Sequence, residues 1–370
     1  MEKKVLAQLE KCYAVAPLYY EGSLHILVAA EKKDRCILFD GDGNEKATVW
    51  EGPGGVMTMV QIPGKDGQFL ATHRFYSPND GKEAGIVSAV PDGKGGWEIR
   101  SLVPLPFVHR FDILSSGKEK YLIACTIKSG HRYKDDWSMP GKVYAARLPE
   151  DISVFHEGNP LQMEVIKEGM LKNHGYCRVG KEGDEAALIC SENGVFLFYP
   201  PKPAGHLASD GSKPGHSTPD DLKPGHSMQD GQWKIRQLLD TPASDAVLVD
   251  LDGDGEDELF VLSPFHGSEI SIYRKSEEGY RKVYVYPEQA DFLHAIWGGT
   301  INGKATVVAG YRRGAGRLMA FTWNEKKQDY MFRTLDDGCG PANVYGYSYH
   351  GKDRLVCANR ETNEIAMYIF

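Results

Sequence analysis

The chain has 370 residues, and 51 acidic against 43 basic side chains give it a formal charge of −8 at neutral pH. That balance argues against nucleic acid or an anionic membrane as partner, and no apolar run approaches the roughly 18 residues that span a bilayer. Seven Cys, several inside strand-like runs (Cys36, Cys125, Cys190, Cys357), read as reduced core residues; Met1-Glu2-Lys3-Lys4 leads into no apolar secretory core, so the expected compartment is the cytoplasm.

From the N-terminus onward the chain predicts strands and no helix. The run Val5–Leu9 comes first and stands alone. A sevenfold echo follows, starting at Cys12-Tyr13, Gly55-Val56, His109-Arg110, His174-Gly175, Asp245-Ala246, His294-Ala295 and Asn343-Val344, and its last three starts are 49 residues apart. Each unit holds four short runs. A small apolar run such as Ala246–Val249 is followed by one ending in a polar residue, such as Lys120–Thr126. The third alternates, as in Glu269–Tyr273, and the fourth is amphipathic, as in Trp97–Arg100 and Tyr330–Arg333. Period-2 alternation bounded by Gly, Asp, Asn and Pro argues strands, and four strands per 40–50 residues is the sequence sign of a propeller blade.

The expected fold is therefore all-β: a seven-bladed β-propeller of four-stranded antiparallel blades. The predicted blades are 12–53, 54–107, 108–172, 173–243, 244–290, 291–340, and 341–370 completed by 1–11. The seventh unit lacks its fourth strand, so the N-terminal run is expected to pair into it and close the ring, removing exposed sheet edges. Residues 201–231 interrupt the pattern. There Lys202-Pro203-Ala204-Gly205-His206 is echoed at Lys213–His216 and Lys223–His226, which predicts a loop insertion within blade four.

In a propeller, the loop entering each innermost strand and the loop between strands two and three open on one face. Innermost-strand starts carry His109, His174, Asp245, His294 and Asn343. Second-strand ends carry Glu31, His73-Arg74, Lys128, Glu192, His266, Arg312-Arg313 and Arg360. These residues are expected to ring one mouth of the central channel, and a polar ring on a rigid scaffold is a candidate binding site. A lone His at a strand start is ordinarily a packing residue. Recurrence of His109, His174 and His294 at one repeat position favours a shared task over channel-lining packing.

Converging imidazoles suit a divalent transition metal (Zn, Mn or Ni), or supply a neutral general base; the sequence leaves both open for His109, His174 and His294, with His73 and His266 as alternative ligands or bases. Arg110 and Arg312 are suited to a carbonyl or enolate oxygen, and Tyr133 or Lys128 to an acid. The long loop Lys128–Gly141 is expected to bring His131, Tyr133 and Trp137 over the mouth, where an aromatic platform suits a sugar ring. Arg74, Arg313, Arg360 and Asn343 complete the candidate substrate contacts. No nucleophile elbow, phosphate loop or dinucleotide fingerprint is present, and no organic cofactor is expected.

One further motif is Asp250-Leu251-Asp252-Gly253-Asp254-Gly255-Glu256-Asp257-Glu258. Carboxylates at alternate positions, with Gly allowing a tight turn, surround a hard cation. The run resembles the calcium loop of the FG-GAP (integrin-type, VCBS-like) propeller repeat. That resemblance implies Asp250, Asp252, Asp254 and Glu258 as ligands of a structural calcium, with Glu258 standing where the family usually has Asp. The whole-chain plan, with its His/Arg mouth and the 128–141 loop, resembles the propeller part of the aldos-2-ulose dehydratase family, which eliminates water from keto-sugars such as 1,5-anhydrofructose; no counterpart of the cupin-type domains of that family's fungal form is expected within these 370 residues.

The resemblance implies a carbohydrate lyase or dehydratase, and the residue types fit: β-elimination needs a base for the proton α to the carbonyl, a cation for the enolate and an acid for the leaving oxygen. The expected partner is a small keto-sugar or uronide. The rival reading is a propeller that binds an anionic ligand, sugar or protein without chemistry.

Overall fold

The computed structural model of the chain describes residues 1–202 and 231–370. The Lys-Pro repeats with His206, His216 and His226, and nearly all of the insertion expected over 201–231, lie outside the described residues.

The described residues form 28 strands and no helix. β1 (Glu2–Gln8) precedes the first blade. That blade holds β2 (Cys12–Tyr20), β3 (Ser23–Ala30), β4 (Cys36–Asp40) and β5 (Glu45–Trp50). The second has β6 (Met59–Gln61), β7 (Phe69–His73), β8 (Gly85–Pro91) and β9 (Trp97–Pro104); the third, β10 (Val108–Ser116), β11 (Glu119–Thr126), β12 (Gly141–Leu148) and β13 (Glu164–Met170). The fourth contains β14 (Gly175–Lys181), β15 (Asp184–Ser191), β16 (Gly194–Tyr199) and β17 (Lys234–Leu239). In the fifth are β18 (Asp245–Val249), β19 (Glu258–Ser263), β20 (Glu269–Ser276) and β21 (Gly279–Val285), and in the sixth β22 (Asp291–Ile301), β23 (Lys304–Arg313), β24 (Leu318–Asn324) and β25 (Asp329–Asp336). The seventh joins β26 (Asn343–Tyr349), β27 (Lys352–Asn359) and β28 (Glu364–Ile369) to β1.

Within every blade the strands pair antiparallel in chain order, and a single bridge, Ser116 to Asp184, links blades three and four. The seven innermost strands touch neighbour to neighbour around a closed circle that ends with β26 against β2. Burial follows position. Second strands, packed between blades, are covered on both faces, as β15 and β27 are over nearly their whole length. Outermost strands such as β21 show exposed polar residues and apolar ones that are half-buried or, at Val285, exposed. This is why the second runs read as continuously apolar and the fourth as amphipathic.

Closure is by β1 on β28, with Glu2 opposite Ile369 and Gln8 opposite Glu364. Lys3 Nζ reaches Asp336 at 2.7 Å, and the Tyr368 hydroxyl donates to the same carboxylate at 2.6 Å.

Three innermost strands carry a bulge at their start: between Cys12 and Ala14, Val108 and Arg110, and Leu293 and Ala295. The bulged residues are Tyr13, His109 and His294. A bulge re-aims a side chain and is frequent beside functional sites. The register also corrects the echo by one residue in blades one, five and seven; in blade one Tyr13 rather than Cys12 stands with His109. The N–H of His174 donates to Cys190, which pairs with Gly175; Ser244 stands likewise to Leu262, and Ala342 to Ala358. The equivalents of the histidines are thus Ser244 and Ala342, and Asp245 and Asn343 belong to the next layer along the channel, with Arg110.

Candidate functional site

At the mouth, side chains from one blade hold carbonyls of the next. Thr58 Oγ1 donates to the carbonyl of His109 (3.0 Å) and Asn343 Nδ2 to that of Tyr13 (2.9 Å). His109 Nδ1 lies 3.3 Å from the carbonyl of His174, His174 Nδ1 3.2 Å from that of Ser244, and His294 Nδ1 2.7 Å from that of Ala342. A carbonyl can only accept, so each Nδ1 carries the hydrogen and each Nε2 keeps a lone pair. At about 1 kcal/mol net per bond, five such contacts contribute about 5 kcal/mol to joining the blades, which is comparable to the whole stability of many domains.

The free nitrogens converge. The rings of His109 and His174 lie 4.6 Å apart, His174 and His294 5.1 Å. The Tyr13 hydroxyl closes the circle, 3.0 Å from His294 Nε2 and 3.5 Å from His109 Nε2. His266 enters from the turn after β19 with a left-handed backbone (φ 49°), its ring stacked between Phe265 (3.9 Å) and Phe292 (4.2 Å). That turn is held by Glu192, which accepts from the Phe265 N–H at 3.2 Å, and by Ser244 Oγ against the His266 N–H at 3.3 Å. Donor atoms of His174, His266 and His294 all lie within 4.8 Å of one another. The Nε2 atoms of His174 and His266 are buried without a partner, as is Arg110 Nε. Unpaired buried polar atoms are rare, and their concentration marks a place for a ligand, ion or water.

Burial holds His109, His174 and His294 neutral, their pKa values lying well below the usual imidazole range; neighbouring imidazoles and Arg110 or Arg312 add to the effect. His266 is depressed to about 3, by burial and then by Arg312 and Arg313. Burial pushes Tyr13 up to about 12 and Asp245 up to about 7, with Arg110 opposing both. The cluster is thus a set of neutral nitrogen donors beside a phenol, with a carboxyl poised near neutrality in the adjacent layer. Arg110 runs across the channel, donating to the Met57 carbonyl (2.9 Å) and to Asn343 Oδ1 (3.4 Å).

Other expected residues sit elsewhere. Within the candidate metal set, His266 takes the place given to His109: the donor atoms that lie within 4.8 Å of one another are those of His174, His266 and His294. His73 is not brought to the cluster: its ring packs on Trp50 at 4.8 Å, and burial lowers it to about 4. Arg74 is exposed beside it. His131 packs on Phe107 at 5.5 Å, and Tyr133 is 68% exposed, so neither covers the imidazoles. Trp137 does come near, edge-on to Phe265 at 5.5 Å, with Lys128 Nζ 4.1 Å above its ring. Lys128 is fully buried and donates one of its hydrogens to the Asp136 carbonyl at 2.8 Å, which ties the amine proposed as acid to its own loop. Arg312 and Arg313 lie over the Phe292 ring, and Arg312 is paired with Glu361 at 2.6 Å. Arg360 pairs with Glu31 and Glu361, a rim network rather than a free binding fork.

At the opposite end of the channel, carboxylate oxygens of Asp250, Asp252 and Asp254 lie within 4.8 Å of one another. Glu258 departs from its expected place. It is buried, with one oxygen accepting from the Leu251 N–H (2.7 Å) and the other from the Tyr330 hydroxyl (2.9 Å), near Arg274 (3.3 Å).

Sequence reasoning left out Tyr13, Phe265 and Phe292 as site residues, and placed Asp245 in the mouth ring without giving it a role. Tyr13 was signalled by its place at the first repeat start, and the two Phe by their adjacency to His266 or the His294 strand.

No protein-family model matches the chain, and no curated protein is similar to it at a significant level. Solved structures are. The β-propeller domain of Cps50 (Swd1) from Myceliophteria thermophila aligns over 99% of both chains with a TM-score of 0.58 at 10% identity. A streptogramin B lyase structure covers 100% of this chain and 98% of its own at 0.48 and 11%. A putative oxidoreductase (glucose dehydrogenase) from Thermus thermophilus covers 100% and 99% at 0.47 and 14%. The chain is a β-propeller, and at these identities the likeness is one of fold alone.

Proposed function

We propose that this propeller is a metal-assisted carbon–oxygen lyase, acting by β-elimination on a keto-sugar or uronide at the histidine mouth. The observation that carries the reading is the convergence of His174, His266 and His294, three neutral imidazoles with donor atoms within 4.8 Å and two Nε2 atoms without partners. Three nitrogen donors with an open position suit zinc, manganese or nickel, which would polarise a carbonyl and steady the enolate. The chain's own groups divide the remaining tasks. His109, outside the triad, offers Nε2 to take the proton α to the carbonyl. Arg110 Nε, buried and unpaired, faces the developing oxyanion. Asp245, holding a proton near neutral pH, returns it to the departing hydroxyl, which leaves as water. The substrate class follows from the resemblance to the aldos-2-ulose dehydratase propeller, and the cytoplasm is the compartment proposed for it.

The test is a screen of oxidised sugars and uronides with zinc-, manganese- or nickel-loaded protein, followed by the ultraviolet absorbance of an unsaturated carbonyl product. Turnover should appear with one metal and vanish on chelation. Turnover that survives full chelation and the His174→Asn change would overturn the reading.

A second reading has its own support. His109, His174 and His294 are 3%, 1% and 2% exposed and each pins a neighbouring blade. In this reading the ring is a structural hub, and the mouth binds an anionic ligand or protein partner without chemistry.

We further propose that Asp250, Asp252 and Asp254 hold a structural calcium. Millimolar calcium should raise the melting temperature, as binding to the folded state alone must, and Asp254→Asn should abolish the rise.

A further inference from the structure

We propose that Tyr13 is the fourth donor of the imidazole site, its oxygen joining His174, His266 and His294 around a divalent transition ion. This rests on the metal reading above. The argument is geometric. Tyr13 occupies the same bulge as His109 and His294, so its side chain enters the ring where the other two present imidazoles. His294 Nδ1 is committed to the Ala342 carbonyl, so its Nε2 can only accept. The Tyr13 hydroxyl, 3.0 Å away, therefore donates into the lone pair that an ion would use. An ion cannot take that lone pair while the O–H points at it.

When the ion arrives, the O–H bond breaks and an oxygen–metal bond forms. The proton departs to water, with His109 Nε2, 3.5 Å from the same oxygen, as the acceptor on the way out. The spacing fits. Donors about 2.1 Å from a tetrahedral ion lie roughly 3.4 Å apart, and the Tyr13 oxygen and His294 Nε2 are already close to that edge. No carboxylate or thiol among the described residues joins the three imidazoles as a ligand group.

Copper(II) titration of the wild type, Tyr13→Phe and Tyr13→His, with zinc affinity measured by calorimetry, tests this. All three should show the ligand-field absorption of imidazole-bound copper, and only the wild type the visible charge-transfer band of a phenolate on copper. Tyr13→Phe should weaken zinc binding at least about tenfold, and Tyr13→His should restore it without the band. If copper binds but the wild type shows no band, or if Tyr13→Phe binds zinc as tightly or more tightly, Tyr13 is only a hydrogen-bond donor and the proposal fails while the metal reading stands. If none of the three binds metal, the metal reading itself fails and this proposal with it.

Discussion

His294 gives its Nδ1 hydrogen to the carbonyl of Ala342 at 2.7 Å, fastening blade six to blade seven with one side of the ring while the other side faces the channel. The two nitrogens can be separated experimentally, because Asn343 already does the fastening alone, donating its amide to Tyr13 across the next junction. His294→Asn should therefore keep the blade contact and lose the donor. We expect denaturation midpoints within about 1 kcal/mol of wild type and zinc affinity down at least about tenfold, read by urea titration and calorimetry. Equal loss of stability in His294→Asn and His294→Ala would contradict this division.

Acid should loosen the molecule early. Five histidines, His73, His109, His174, His266 and His294, are held neutral in the fold, with His73 near 4 and His266 near 3 against 6.5 when exposed. The unfolded chain takes up protons below 6.5 and the fold does not, so this contribution is complete above 6.5 and is lost as pH falls toward 3–4. Asp245 acts in the other sense. Raised to about 7 from 3.8, it favours the fold below 3.8 and loses that contribution as pH rises through 7. Stability measured from pH 8 to 5 should fall, and fall more steeply in Asp245→Asn.

Gly175 lies flush against blade five. A methyl group there would stand 2.5 Å from Asp245 Cα and 2.6 Å from its Oδ1. Backbone on one side cannot yield, so Gly175→Ala should cost about 1–3 kcal/mol. It should also disturb metal binding through His174, its neighbour. An unchanged urea midpoint would show that the blades have slack at the mouth.

Removal of residues 1–8 strips β1 from β28 and takes with it the Lys3 contacts to Asp336 and Glu364. The exposed edge of β28 is apolar and unprotected, which invites association. The truncated protein should melt lower and enlarge on gel filtration with concentration.

Much of the architecture was legible because blades repeat: the buried second strands and half-polar fourth strands recur at the same offsets, and the orphan run before Cys12 had one place to pair. The mouth was legible in part. His109, His174 and His294 share a position, yet sequence spacing could not reveal bulges, so Asp245 and Asn343 were placed one residue out of layer. His266 comes close through turn geometry and stacking on Phe265, and Trp137 through an edge-on contact with the same ring, whereas His73 and His131 turn aside onto Trp50 and Phe107. Glu258 has the right offset for a ligand but finds Leu251, Tyr330 and Arg274 first. Side-chain choice among nearby partners is a tertiary matter, and periodicity carries no trace of it.

The double engagement of the imidazoles bears on how kinship should be judged. A descendant that abandoned the chemistry would still be under pressure to retain His109, His174 and His294 as fasteners, since losing any one would slacken the hub. Their persistence in other chains would then testify to assembly rather than to activity, and the residues worth tracking as witnesses of function are those whose side chains grip no backbone carbonyl of a neighbouring blade, such as Tyr13 and His266.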